Sequence, residues 1–266
     1  MVKYSDSCVT FSLDYSMDEL LKLLLLFGLG SVAGFINVMA GGGSIITLPV
    51  LSFLGLDWAL ANGTNRIGIL VQNLSAVMSF HKKKYHKFKL SLKLAAFTLP
   101  GAIAGAIIAT KISDELFQNI LAYILIGVAI SMFLRKVNQK KIKEKRQPQN
   151  SWLIFPAMFA IVFYGGFIQA GVGFIFMATL YHLMRLDLIH VNMHKVFIIF
   201  IYTIPALIVF MLSGNVNWKF GLTLAAGMAF GAWWSAKISV KKGEGLIRII
   251  LTAAILMMSL KLLSII

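Results

Sequence analysis

The chain has 266 residues, is 59% hydrophobic and only 13% charged, where a soluble domain carries roughly 25% charged residues, and its net charge is +15. This composition excludes an ordinary soluble domain and places the chain among helical integral membrane proteins. The lysines and arginines fall in short stretches between apolar runs, the positive-inside pattern, so the charge argues for the lipid bilayer as partner and against nucleic acid.

Residues 1–19 are polar and slightly acidic, with Asp6, Asp14, Asp18 and Glu19 against Lys3; they lack the basic start and apolar core of a signal peptide. The single cysteine, Cys8, excludes an internal disulfide and a cysteine-based metal cluster. Apolar segments follow at 20–40, 44–56, 64–80, 91–110 and 116–134. The hydrophilic run 135–150, with the helix-ending Pro148, separates them from segments at 152–170, 173–186, 196–212, 218–236 and 246–265. Segments 44–56 and 173–186 are short: at about 1.5 Å per residue each reaches about two-thirds of a bilayer core. Each reads as a half-helix, one arm of a re-entrant pair, or a tilted span.

The two series match. GFIN (Gly34–Asn37) pairs with GFIQ (Gly166–Gln169), Gly43 with Gly173, Asn62 with Asn192, and GAIIATKIS (Gly105–Ser113) with GAWWSAKIS (Gly231–Ser239). So many matches in register argue for an internal repeat. The basic loop 81–89 corresponds to the uncharged loop 212–218, and the loop 111–117, with no net positive charge, to the basic loop 237–248. Corresponding loops therefore belong on opposite sides, which makes the repeats inverted. The expected fold is an all-α membrane protein of two inverted repeats, about five helical segments each. An extracytoplasmic tail 1–19 precedes the first repeat 20–134; a basic cytoplasmic linker 135–150 precedes the second, 151–266. Both termini fall outside, and charge alone does not separate eight crossings from ten.

The stretch from Asn37 to Arg66 holds a triple glycine, a proline and Asn62-Gly63-Thr64-Asn65-Arg66. Flexible backbone and polar groups belong inside a membrane only where they line a cavity or are buried in protein. AGGGSIITLPVL (Ala40–Leu51), LGL (Leu54–Leu56) and ANGTN (Ala61–Asn65) resemble the first-repeat signature of the sulfite exporter TauE/SafE family, and the similarity extends from about Gly28 through PGAIAGAI (Pro100–Ile107) over nearly the whole chain. It departs from the family pattern in AGVGF (Ala170–Phe174), a thinner glycine cluster, and in Asn65, often serine in the family. The resemblance implies an inner-membrane, multi-pass permease that exports small sulfur-containing anions such as sulfite or organosulfonates.

A dehydrated oxyanion needs N–H and O–H donors and a positive field. A helix N-terminus supplies free N–H groups and about half a positive charge. Gly41-Gly42-Gly43-Ser44 precedes one short helix and Gly171-Val172-Gly173 the other, and converging N-termini would make an anion site without permanent charge. Tight helix packing is the alternative use of these glycines and the favoured one for Gly101 and Gly105. Asn37 and Gln169 precede the turns, where each donates to an anion or satisfies the turn itself. Asn62, Thr64 and Asn65 are candidate caps of a helix starting near 64 as well as ligand contacts. Arg66 either binds the oxyanion or snorkels to the outer surface. Asn192, His194 and Lys195 are the matching second-half candidates, with Arg66 and Lys195 at opposite mouths. Tyr202 and Thr203, next to Pro205, carry hydroxyls that line the path if that helix faces it.

His81 and His86 read as solvated, and His182 and His190 lack a carboxylate cluster for a metal. No cofactor is expected. The ATPase phosphate loop is absent, so transport is expected to be passive, or coupled to an ion gradient or exchange. The reading is a secondary transporter working by alternating access between its halves, and not an enzyme. The alternatives are an anion channel, or a non-catalytic subunit docking a soluble partner; a homo-oligomer is compatible with either.

Overall fold

The computed structural model describes residues 6–84, 88–123 and 152–263. The linker 135–150, the end of segment 116–134 and His86 lie outside the described residues, as do the side chains before residue 19 and most of those after 242. The described part is all-helical: α1 (Asp6–Met39), α2 (Ser44–Phe53), α3 (Trp58–Lys82), α4 (Phe88–Ala109), α5 (114–123), α6 (Ile154–Phe167), α7 (Val172–Leu183), α8 (Leu188–Leu212) and α9 (Trp218–Leu263).

Three stretches among the described residues are long and apolar enough to cross a membrane, Glu19–Met39, Lys89–Ala109 and Leu188–Leu212. Their outer faces carry exposed apolar side chains, such as Leu20, Leu21, Leu24 and Leu25 on α1 and Ile103, Ile107 and Ile108 on α4. That is the surface that lipid requires. α3 is more polar, yet Asn62, Thr64, Asn65, Arg66, Gln72 and Asn73 are all buried. Its polar face is turned into protein.

Two expected boundaries are corrected. α3 begins at Trp58, not near 64: Asp57 ends the preceding loop in an extended conformation, and Ala61 N–H already donates to Asp57 O at 2.7 Å. Asn62, Thr64 and Asn65 therefore sit inside the helix and do not cap it. The second correction concerns 237–248, expected as a loop between two segments. It is helical, part of the continuous α9. It holds no proline, and Gly243 and Gly245 lower helix propensity without removing a hydrogen bond.

Interhelix contacts fix direction. Ser75 and Ser79 Oγ donate to the carbonyls of Ala229 and Trp233, so α3 and α9 run parallel. Gly34 packs on Met228, Gly231 on Ser31, and Ser235 Oγ donates to Phe35 O, so α1 runs with them. On the other side Gly101 meets Phe159 and Gly105 meets Phe163, and Ser91 meets His194, so α4, α6 and α8 are parallel to one another. α3 and α8 are antiparallel: Gly63 lies against Phe210, while Ala76 and Phe80 cluster with Met193 and Val196. Helices α1, α3 and α9 thus point one way and α6, α8 and α4 the other. Because α1 and α3 share a direction, the segment carrying α2 must bring the chain back; the segment carrying α7 does the same between α6 and α8.

The packing devices also match. A Cβ on Gly34 would fall 2.3 Å from Met228 O, and one on Gly166 would fall 2.3 Å from Ala102 O. A Cβ on Gly231 would fall 1.9 Å from Ser31 O, and one on Gly105 would fall 2.1 Å from Phe163 O. Glycine is what lets these helix pairs close to backbone contact, the packing expected of Gly101 and Gly105.

Candidate functional site

The helices that precede α2 and α7 stop inside the protein, at Met39 and Phe167, and the chain turns through left-handed backbone at Gly41 (φ 95°), Gln169 (φ 68°) and Gly171 (φ 69°). The turns meet. A Cβ on Gly41 would lie 2.3 Å from the carbonyl carbon of Gly173, and one on Gly173 would lie 2.3 Å from Gly41 Cα. Gly42 faces the Phe174 ring, and Gly43 packs on Ala33 O and on Asn37 Cβ. These glycines bring the backbone of one half against the other half; the space beside their Cα atoms is filled by protein. Ser44 opens α2 at this junction and is buried.

Asn37 satisfies its own turn, since Gly43 N–H donates to Asn37 Oδ1 at 3.2 Å. Gln169 Oε1 instead accepts from Arg66 Nη1 and from the Tyr202 hydroxyl, both at 3.3 Å.

Arg66 neither snorkels nor sits at a mouth. It is 0% exposed. Its Nη1 donates to Gly165 O at 3.2 Å and its Nη2 to Gly166 O, carbonyls in the last turn of α6. The guanidinium lies 4.6 Å from the Phe210 ring centre, and Nε has no partner. Lys195 is likewise buried, at 1% exposure, and donates to Asn37 O at 3.1 Å and to Val38 O at 2.8 Å. Those carbonyls belong to the last turn of α1. Each cation is therefore seated on the C-terminal end of a broken helix from the opposite half. A helix C-terminus carries about half a negative charge, which leaves each cation partly uncompensated. Among the described residues no aspartate or glutamate is buried; the ion pairs, His190 with Asp187 and Lys219 with Glu19, are at the surface.

Around the cations, Asn62 Nδ2 donates to Phe167 O at 2.7 Å, and Thr47 Oγ1 donates to Asn65 Oδ1 at 2.7 Å. Thr64 Oγ1 accepts from Asn217 N–H, holding the start of α9. His194 Nδ1 hydrogen-bonds the Ser91 hydroxyl at 2.7 Å. Asn192 is buried with both carboxamide atoms unpaired, and Asn62 Oδ1, Asn65 Nδ2 and Thr203 Oγ1 are also unpaired.

Sequence reasoning missed Gln72, buried with both ends unpaired, and Thr47. For Gln72 the signal was present. Asn62, Asn65, Arg66, Gln72 and Asn73 follow the i, i+3, i+4, i+10, i+11 spacing of one helix face, interrupted by Ile69, so a polar stripe was readable inside an apolar segment. His190 pairs with Asp187 at the start of α8. Among the described residues no group of three metal-ligating side chains occurs.

The description of the sulfite exporter TauE/SafE family matches residues 26–262. A probable membrane transporter protein of Haemophilus influenzae is 29% identical over 90% of this chain and 94% of its own length. The probable membrane transporter protein ORF9 of a Sinorhizobium species is 28% identical over 91% of this chain and 92% of its own length. The probable membrane transporter protein YfcA of Escherichia coli is 28% identical over 96% and 94%. No solved structure matches.

Proposed function

The chain belongs to the sulfite exporter TauE/SafE family, and from that premise we propose that it is a secondary exporter of small sulfur-containing anions, sulfite or organosulfonates, in the inner membrane. The observation that carries this reading is the pair of buried cations, Arg66 and Lys195, each held by backbone carbonyls and neither facing a carboxylate.

Burying a charge without a counter-charge is costly, and intramembrane ionisable residues mark substrate paths. An oxyanion supplies the missing counter-charge. Arg66 offers Nε, with Asn65 Nδ2 close by in sequence on the same helix. A planar guanidinium suits an oxyanion in geometry as well as charge. The anion and the helix-end carbonyls compete for the same cation. Binding at Arg66 loosens its hold on the end of α6, and binding at Lys195 loosens its hold on the end of α1. Alternating access then follows as one inverted half shifting against the other around the glycine contact, with exchange or a gradient supplying the drive. The start of α1 outside and the basic stretch 81–89 inside complete the orientation of the first helices, and the continuous α9, parallel to α3, carries the chain inward without the return to the outside that a loop at 237–248 would have allowed.

The test is counterflow in proteoliposomes. Vesicles preloaded with sulfite, sulfoacetate, methanesulfonate, sulfate or acetate are offered the same labelled anion outside. Transient accumulation with a sulfur oxyanion, absent in Asn62→Leu, is the expected result. Flux that neither saturates nor shows counterflow would replace the carrier with a channel. No flux from folded protein with any of these anions would overturn the anion reading.

A further inference from the structure

Among the described residues, every buried side-chain nitrogen or oxygen without a hydrogen-bond partner belongs to α3 or α8. Gln72 and Asn192 decide what this means, because each is buried with both ends of its carboxamide unpaired. Exchanging nitrogen and oxygen in either amide changes nothing. Polar side chains elsewhere in this protein settle differently. Thr98, Thr110, Ser213 and Thr223 bond back to a carbonyl three or four residues earlier, and Asn73, beside Gln72, bonds to Ile69 O. Gln72 and Thr203 make no such bond.

The placement is orderly. Asn62 lies one helical turn before Arg66, and Asn192 one turn before Lys195, each asparagine with an unpaired carbonyl oxygen. The antiparallel register sets Gln72 and Thr203 at neighbouring levels between these two ends. Each cation is thus accompanied by a neutral acceptor, and the midpoint offers both a donor and an acceptor.

An oxyanion only accepts hydrogen bonds. It would satisfy Arg66 Nε, Asn65 Nδ2 and the NH2 groups of Gln72 and Asn192, and leave the carbonyl oxygens of Asn62, Gln72 and Asn192 unpaired. Those oxygens call for a donor hydrogen. Resting on the anion reading above, we infer that the transported anion carries its own O–H or N–H group, and that the amides of Asn62, Gln72 and Asn192 read it. The cation takes the charged end, and the amide oxygen takes the donor. Gln72 and Thr203 form the uncharged station between the two charged ones.

The experiment measures thermal stabilisation of the purified full chain by matched pairs of sodium salts, ethanesulfonate against 2-hydroxyethanesulfonate and propanoate against 2-hydroxypropanoate. The hydroxylated member of a binding pair is expected to half-stabilise at a concentration about tenfold or more lower, since a site built for a substrate hydroxyl rejects the analogue lacking it. In Gln72→Leu that preference collapses to within about twofold, while the unliganded melting temperature does not fall, because the change removes an unpaired buried amide. Thr203→Val is the second variant, with the same expected direction. Equal stabilisation by both members of a binding pair, or a preference that survives both substitutions, would overturn the inference and leave the anion reading standing. No stabilisation by any of the four salts would overturn the anion reading and the inference together.

Discussion

Arg66 and Lys195 do the same thing in opposite halves by different means. Each reaches across to the last turn of the broken helix in the other half and donates to two of its carbonyls. When the halves are aligned on Asn62 and Asn192, however, Lys195 falls opposite Asn65 and Arg66 opposite Val196. The cations are equivalent in contact and not in register. A long flexible side chain tolerates a shift of one position on a helix, so the seat, and not the alignment, defines the functional pair. The two differ in what surrounds them: Arg66 also engages Gln169 and the Phe210 ring, whereas Lys195 has the two carbonyls.

The contact between halves is the most sensitive place to break this comparison. Gly173→Ala puts a Cβ 2.3 Å from Gly41 Cα, backbone against backbone with no side chain to move. It should destabilise the protein by more than about 4 kcal/mol, read as loss of the monodisperse detergent-purified species. Gly55→Ala, where a Cβ meets nothing within 4 Å but φ is 91°, carries the backbone strain alone and should cost about 1–2 kcal/mol.

The cations come next. Arg66→Ala leaves the Gly165 and Gly166 carbonyls without their side-chain donor and Gln169 Oε1 with the Tyr202 hydroxyl alone; a loss of about 3–5 kcal/mol in thermal stability and of all counterflow is expected. Arg66→Lys keeps the charge but not the fork, so it should recover part of the stability and little of the transport. Lys195→Met is expected to cost less, about 2–3 kcal/mol for two lost hydrogen bonds. Lys195→Arg should retain measurable counterflow. If Lys195→Met transports normally while Arg66→Ala does not, the two stations are not equivalent in function.

The smallest effect separates the helix starts. Asp187 caps α8, its carboxylate accepting from Ile189 N–H at 3.0 Å and His190 N–H at 2.9 Å, whereas Asp57 at the start of α3 makes no side-chain cap bond. Asp187→Ala should cost about 1 kcal/mol and Asp57→Ala close to nothing. Partial burial pushes the Asp187 carboxyl up, but hydrogen bonds from the His190 side chain and the backbone, with the charge of His190, hold it below its ordinary value. A carboxyl lowered on folding contributes stability that is present above its unfolded value near 4 and is lost as pH falls through the lower folded value. A melting profile taken downward from pH 5 should show that loss in wild type and not in Asp187→Asn.

Much of this was readable beforehand, and the reasons for the rest are physical. Composition identified a helical membrane protein, and the glycine clusters marked where α1 and α6 break, because both signals are local. The seat of Arg66 was not readable: its partners Gly165 and Gly166 lie about a hundred residues away, and a cation near a segment end looks the same in sequence whether it snorkels or is buried. The start of α3 was misplaced because Asn62-Gly63-Thr64-Asn65 has the composition of a cap. Tertiary contact overrides that preference: Gly63 is needed where Asn215 O would lie 1.9 Å from a Cβ, and Thr64 is occupied by Asn217. Gln72 was overlooked because its companions Asn62 and Asn65 lie turns away along α3 and share its helix face, not its immediate sequence.

The partnership of α9 with α1 and α3, and of α4 with α6 and α8, has a consequence for biogenesis. Neither bundle is made from one stretch of polypeptide. The N-terminal helices α1 and α3 gain their third parallel neighbour only once the chain beyond Trp218 has been synthesised, and α4 waits in the bilayer for α6. Until then Gly34 and Gly105 lack the backbone of Met228 and Phe163 that they meet in the folded protein. A ribosome stalled before α9 therefore leaves two incomplete bundles, not one finished and one missing, and a membrane-quality protease should recognise that intermediate by the glycine-lined grooves still open in both.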